Sequence, residues 1–288
     1  MDERHPDGLR AFVLGGGGVL GAHEVGMLRA LAEAQIVPDL VLGTSIGAVN
    51  GALFAAEPGP AGVQRLIGLW SGAAQETSPA GALLRRLGTL ARTGTHVESV
   101  GAIKQRLRSV LPVERIEQLS VPFQCVAARI EDAAEHWFTQ GPLVEAVLAS
   151  CAVPGILPAV RIGDQHFIDG GIVNSIPVSR AVSLGAREIF VLQVGRAERP
   201  LSPPRWPWEV ALVAFEVARR HRFAHDLASL PEDVQLHLMP TGGSAAPAYN
   251  DLVGQLRMGR VRATIARQME GAYEASSAYL QELGCPRH

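Results

Sequence analysis

Two apolar runs near the start of the chain each end in a glycine-rich turn and continue into a helix-patterned segment, and this repetition constrains the fold more than any other feature. Leu9–Leu14 reads as a buried strand that enters Gly15-Gly16-Gly17-Gly18, and residues 21–34 then carry Val25, Leu28, Leu31 and Ala32 on one helical face. Residues 39–42 form a second short strand, Gly43-Thr44-Ser45-Ile46-Gly47 turns sharply, and residues 48–56 are again helical. Strand–turn–helix units in such close succession demand parallel strands, because each helix must cross over a sheet face before the next strand can pair.

The alternation continues. Residues 62–111 are mostly helical, with Gly/Ser/Thr/Pro-rich interruptions near 71–81 and 92–95, and suit a cap or lid. Residues 121–129 read as a strand, 136–139 as its hairpin partner, 143–150 as a short helix, and 161–168 as strand broken at Gly163-Asp164. A helix at 177–184 and a buried strand at 188–194 follow. Beyond the Pro-rich break at 200–207 come a long helix (209–230), a strand (234–238), a flexible loop (241–248) and a final helix. The expectation is an α/β fold with a mostly parallel central sheet flanked by helices in three layers. Residues 9–195 form its core, and residues 196–288 form a largely helical extension on the same domain.

With 47% apolar residues the 288-residue chain can bury a large core, yet no apolar run reaches the ~18 residues a membrane span needs. The start of the sequence lacks a basic, then apolar, leader, so the expected compartment is cytoplasmic. A net charge of −2 without basic runs argues against nucleic acid as a partner. Cys125, Cys151 and Cys285 fit no metal spacing and read as ordinary thiols.

Gly43-Thr44-Ser45-Ile46-Gly47 matches G-x-S-x-G, in which flanking glycines let a strand turn abruptly into a helix and lift a serine hydroxyl above the sheet. Ser45 is the candidate nucleophile. Gly16-Gly17-Gly18-Val19-Leu20-Gly21 fits G-x-G-x-x-G, whose bare amides at a helix start suit an anion, either a dinucleotide pyrophosphate or the oxyanion of an attacked carbonyl. A dinucleotide site wants an acid at the carboxyl end of the second strand, but Asp39 begins that strand and Ser45 follows it. The glycine loop and Ser45 therefore meet at one edge of the sheet.

A serine needs a base. None of the nine histidines sits in a catalytic context; His237, late and at a strand end, is the alternative, and His166, three residues before Asp169, is pointed to the opposite face by strand alternation. Asp169 is the better candidate, because it ends a strand and Gly170-Gly171 clear space beside its carboxylate.

Taken together, the glycine loop, the serine turn and Asp169-Gly170-Gly171, with the stretches Gly141-Pro142-Leu143 through Ser150-Cys151-Ala152-Val153-Pro154-Gly155-Ile156-Leu157-Pro158 and Ile172-Val173-Asn174-Ser175-Ile176-Pro177-Val178, resemble the patatin-like phospholipase family over about residues 10–195. The resemblance implies a lipid acyl hydrolase of phospholipase A, lysophospholipase or lipid esterase type. It further implies Ser45 as nucleophile, Asp169 as partner in a Ser-Asp dyad, the backbone of Gly16, Gly17 and Gly18 as oxyanion hole, and no metal or organic cofactor. Gly21, Gly43, Gly47, Gly170 and Gly171 are its motif glycines. One departure is Leu20, where many members carry Arg or Lys. The alternatives are a His-dependent esterase, a nicotinamide-dependent enzyme built on the glycine loop, and a non-catalytic lipid-binding protein.

Residues 209–230 carry Val210, Val213, Phe215, Val217 and Phe223, with Trp206 and Trp208 before them and Arg219-Arg220-His221-Arg222 within. Aromatic and branched residues at helical spacing are expected to pack on the core, leaving at most weak peripheral contact with anionic lipid.

Overall fold

The computed structural model describes residues 8–73, 100–154, 156–194, 201–204, 207–242 and 261–285. Most of the expected cap (74–99), Trp206 and most of the loop at 241–248 lie outside the described residues, as does the side chain of Trp208.

Among the described residues eight strands form one sheet: β1 (Leu9–Leu14), β2 (Leu40–Thr44), β3 (Phe123–Arg129), β4 (Ala134–Phe138), β5 (Val160–Ile162), β6 (Gln165–Asp169), β7 (Ala186–Leu192) and β8 (Gln235–Leu238). Five of them run parallel in the order β3-β2-β1-β7-β8. The sheet then changes character, because β4 and β6 both pair antiparallel with β3, and β5 pairs antiparallel with β6. The segment read as a broken strand at 161–168 is thus the β5–β6 hairpin, turning at Gly163 with φ 62°.

The helices are α1 (Ala22–Glu33), α2 (Ile46–Ala56), α3 (Pro60–Ala73), α4 (Val100–Val110), α5 (Leu143–Ser150), α6 (Gly171–Asn174), α7 (Val178–Ser183), α8 (Pro207–Ala228) and α9 (Val261–Glu282). Alternation along the strands divides them between two faces. Phe12, Leu14, Val41, Phe190 and Leu192 join the larger core under α1, α2, α3, α5 and α9, where the Phe12 ring packs on Phe54 and Phe190. Ala11, Val13, Leu40, Leu42, Ile189 and Val191 face the smaller core under α7 and Phe223 of α8. Because both faces are covered, the central strands read as unbroken apolar runs. This is the expected three-layer α/β architecture.

Residues after 200 do more than add helices. β8 extends the parallel sheet beside β7, and α9 lies against α1 so closely that a Cβ on Gly26 would come within 2.1 Å of the Met269 carbonyl oxygen. Arg29 of α1 stacks 3.7 Å above the Tyr273 ring of α9.

The apolar stripe expected on α8 is only partly inward. Phe223 is buried, but Val210 and Val217 stand exposed at 54% and 52% while Glu216, Arg219 and Asp226 are buried. Charges go inward because they are paired: Arg219 makes two hydrogen bonds to Glu216, at 2.8 and 2.7 Å, and Arg222 reaches both Asp226 and Glu135. Periodicity reads side-chain polarity, and cannot see that an internal ion pair lets a polar ridge take the buried position.

Candidate active site

The pairing of β3 explains how the two candidate catalytic residues meet. β4 occupies one edge of β3 from Cys125 to Arg129, so β2 and β6 must share the other. On that shared edge β2 runs parallel and ends with Thr44 opposite Val126, while β6 runs antiparallel and ends with Asp169 opposite Ala127. Two strands arriving head-on at adjacent positions bring Ser45 and Asp169 together. Both are buried, Ser45 at 8% exposure and Asp169 at 1%.

Ser45 links β2 to α2 with φ 56° and ψ −122°, a region that non-glycine residues avoid at a cost of about 1–3 kcal/mol. The turn is tight enough to need its glycines: a Cβ on Gly43 would lie 2.5 Å from the Gly47 carbonyl oxygen, and one on Gly47 would lie 2.3 Å from that of Leu14. The same holds beside Asp169, where a Cβ on Gly170 would lie 2.2 Å from the Val126 carbonyl oxygen.

Asp169 Oδ1 accepts the Gly171 N–H at 2.7 Å, and Oδ2 is buried without a hydrogen-bond partner among the described residues. Burial pushes the Asp169 pKa up from 3.8 to about 6; the Ser45 side chain and the Gly171 amide pull it back part of the way. The Ser45 hydroxyl is thus near enough to act on the carboxylate, without closing a well-aligned hydrogen bond onto Oδ2.

The glycine loop lies at the same edge. Gly16 packs between Ser45 and Ser175, since a Cβ there would be 3.4 Å from Ser45 Cβ and 3.2 Å from Ser175 Oγ. Its amide donates to the Ser175 carbonyl at 3.0 Å. Gly17 and Gly18 are exposed, and their amides make no backbone hydrogen bond among the described residues. Gly18 has φ 56°, and Gly21 follows one turn of 3-10 helix later at the start of α1. Behind the loop, Asn50 of α2 donates to the Gly21 carbonyl at 3.0 Å and to buried Glu24 at 2.7 Å, and accepts from Trp70 Nε1 of α3 at 3.0 Å. Desolvation raises the Glu24 pKa well above its ordinary value. This network, invisible to motif reading, ties the glycine loop to the serine helix.

The other candidates lie elsewhere. His237 stacks on Phe190 at 4.6 Å and contacts Tyr279 Oη at 3.2 Å, in mid-strand on β8, while His166 pairs with Glu131 at 2.8 Å on an exposed hairpin. Asp39, the acid a dinucleotide site would use, accepts the Arg10 amide at 2.7 Å at the amino end of β2. A cavity of about 560 Å³ between α7 and α8, lined by Ser179, His221, Arg222 and Asp226 among others, includes none of the motif residues. Among the described residues no helix is long and apolar enough to cross a membrane.

The patatin-like phospholipase model matches residues 12–182, from β1 to α7. Patatin-like phospholipase domain-containing protein 7 of Rattus norvegicus is 35% identical over 187 residues, covering 64% of this chain and 13% of that protein. Lysophospholipase NTE1 of Mycosarcoma maydis is 30% identical over 192 residues, covering 64% of this chain and 10% of that protein. The chain thus spans only a small part of the length of these relatives. The crystal structure of VipD from Legionella pneumophila has a TM-score of 0.49 and 14% identity, covering 96% of this chain and 67% of that one. Since the family model takes in both glycine turns, the serine and the aspartate, and covers more than half of the residues, the chain belongs to the patatin-like phospholipase family.

Proposed function

We propose that the chain is a serine lipid acyl hydrolase, a carboxylic ester hydrolase working through a Ser45–Asp169 dyad and an acyl-enzyme. The observation that carries this reading is the head-on arrival of β2 and β6 on one edge of β3, which sets a strained serine against a buried carboxylate. Asp169 takes the Ser45 Oγ proton as Oγ bonds to the acyl carbon. The alkoxide-like oxygen of the tetrahedral intermediate is received by backbone amides, its collapse expels the alcohol with the proton from Asp169, and water repeats the sequence to release the fatty acid. A carboxylate near pKa 6 is ionised at neutral pH and more basic than an exposed one, as a general base should be.

Of the three loop glycines, Gly17 and Gly18 are the donors on this reading. The Gly16 amide is engaged by Ser175, so Gly16 fixes the loop against the serine turn while the next two amides stay open to the oxyanion. Leu20 supplies no cation to the loop, so a charged head group gains nothing from this position. The names of the relatives, phospholipase and lysophospholipase, support a lipid ester as substrate. Peripheral membrane contact is weak on this reading, because Arg219, Arg220 and Arg222 of α8 are each paired with a carboxylate of the chain.

The test is a panel of acyl esters, phospholipids and lysophospholipids, together with a fluorophosphonate probe, on wild type and Ser45→Ala. Hydrolysis and covalent labelling are expected in wild type and lost in the variant. Labelling of Ser45→Ala at the wild-type rate would end the assignment.

A further inference from the structure

The turn that ends α5, Ser150-Cys151-Ala152, belongs to a stretch the motifs leave without a role, yet it touches both halves of the dyad. Ser150 Oγ accepts the Ser45 N–H at 2.9 Å, and Cys151 Sγ donates to the Ser45 carbonyl at 3.0 Å. The carbonyl of Ser150 accepts the Gly170 N–H at 3.3 Å, and that of Ala152 accepts the Asp169 N–H at 2.9 Å. Three consecutive residues therefore hold the backbone of the nucleophile with two side chains and the backbone of the base with two carbonyls. Ser150 is fully buried.

We propose that Ser150, assisted by Cys151, is a positioning residue that holds the Ser45 hydroxyl at working distance from Asp169. This rests on the dyad reading above. β2 leaves its ladder at Thr44, so the Ser45 N–H points into the protein with no strand partner, and a side-chain acceptor must satisfy it. The Ser150 hydroxyl is that acceptor. A strained φ of 56° persists only where surrounding bonds over-determine it, and these bonds flank the strained residue on both sides. Removing the Ser150 hydroxyl frees the peptide before Ser45 to relax, while the main-chain bonds from the same turn to Asp169 and Gly170 remain. The nucleophile moves and the base stays.

That asymmetry gives a signature which a general loss of stability does not share. For Ser150→Ala, the fluorophosphonate labelling rate per active site, normalised by burst titration, and kcat are expected to fall by about 10- to 100-fold, the scale of a displacement near 1 Å. KM should stay within about twofold because substrate contacts are untouched, and the kinetic midpoint of the base should rise, because the Ser45 hydroxyl that holds the Asp169 pKa down moves away. Ser150→Thr, which keeps the hydroxyl, should recover most of the rate. Cys151→Ala should lower it by about two- to threefold, since the Ser45 carbonyl keeps its bond from Ala48 N–H at 2.9 Å. Normalising to active sites keeps the comparison meaningful even if part of the Ser150→Ala protein is unfolded. Wild-type rate per site in Ser150→Ala, or equal impairment in Ser150→Ala and Ser150→Thr, would overturn the positioning role while leaving the dyad intact. Labelling that survives Ser45→Ala would overturn the dyad, and the positioning role with it.

Discussion

Asp169→Asn should make this protein more stable and nearly inactive, and the stability gain should grow with pH. In the unfolded chain the carboxyl titrates near 3.8, and in the fold near 6, chiefly because burial penalises the charged form. A group whose folded pKa is raised contributes stability that is fully present below the unfolded pKa and is lost as pH rises through the folded one. A shift of that size corresponds to about 3 kcal/mol of destabilisation once both states are ionised. Asparagine resembles the neutral acid at every pH, can keep the Gly171 N–H bond through its own oxygen, and places an amide where Oδ2 lacks a partner. The linkage relation then predicts a gain of about 1 kcal/mol at pH 4.5, rising to about 3 kcal/mol at pH 7.5. In thermal unfolding that is roughly a 2 °C advantage growing to about 6 °C. Over the same range, wild-type kcat/KM should rise with unit slope to a plateau with a midpoint near pH 6. The variant should lie about 10² to 10⁴-fold lower, and His237→Ala should follow the wild-type curve. The reasoning fails if the stability gain is the same at both pH values, if the variant is less stable at pH 7.5, or if the activity midpoint falls near pH 4.

Two further outcomes follow. Gly18→Val should lower turnover by about 10²-fold or more by straining a residue at φ 56° and misaligning its amide, and retained turnover would remove that amide from the oxyanion hole. In vesicle sedimentation, binding should be weak, dependent on anionic lipid and abolished by salt; tight, salt-insensitive binding would show that exposed Val210 and Val217 engage the bilayer.

Local chemistry carried much of this architecture in plain view. β1 and α5 occur at the boundaries read from their apolar runs, and the β2 turn to α2 falls at Ser45, because strand length, glycine spacing and helical periodicity are all short-range signals. What could not be read is pairing between distant segments. Sequence suggested that Asp169 ends a strand, but not that this strand opposes β3 and so faces β2 end to end. The Gly16 amide looked as available as its neighbours, since its acceptor lies 159 positions away on Ser175. Ser150 and Cys151 appeared only as part of a family-like stretch; their bonds to Ser45 span more than a hundred positions. On α8, polarity hid burial, because Glu216 and Arg219 neutralise each other in place.

The costs in this fold gather where the sheet's carboxyl ends meet. Among the described residues five buried side-chain atoms lack a hydrogen-bond partner: Glu24 Oε1, Asp169 Oδ2, Asn174 Oδ1, Ser175 Oγ and Gln193 Oε1. Glu24 lies in the first turn after the glycine loop, Asp169 ends β6, Asn174 and Ser175 follow it, and Gln193 directly follows β7. The strained Ser45 lies at the same edge. Native proteins satisfy nearly all their buried polar atoms, so this concentration needs a reason other than chance. On the proposed reading an unpaired Asp169 Oδ2 is free to take the serine proton, and the open Gly17 and Gly18 amides, rather than unpaired acceptors, are free to meet the oxyanion. The two apolar cores under and over the central strands supply the stability that tolerates this edge. It follows that stabilising substitutions should be found most readily among the residues closest to the proposed chemistry, and that they should reduce turnover, as the dyad proposal expects of Asp169→Asn.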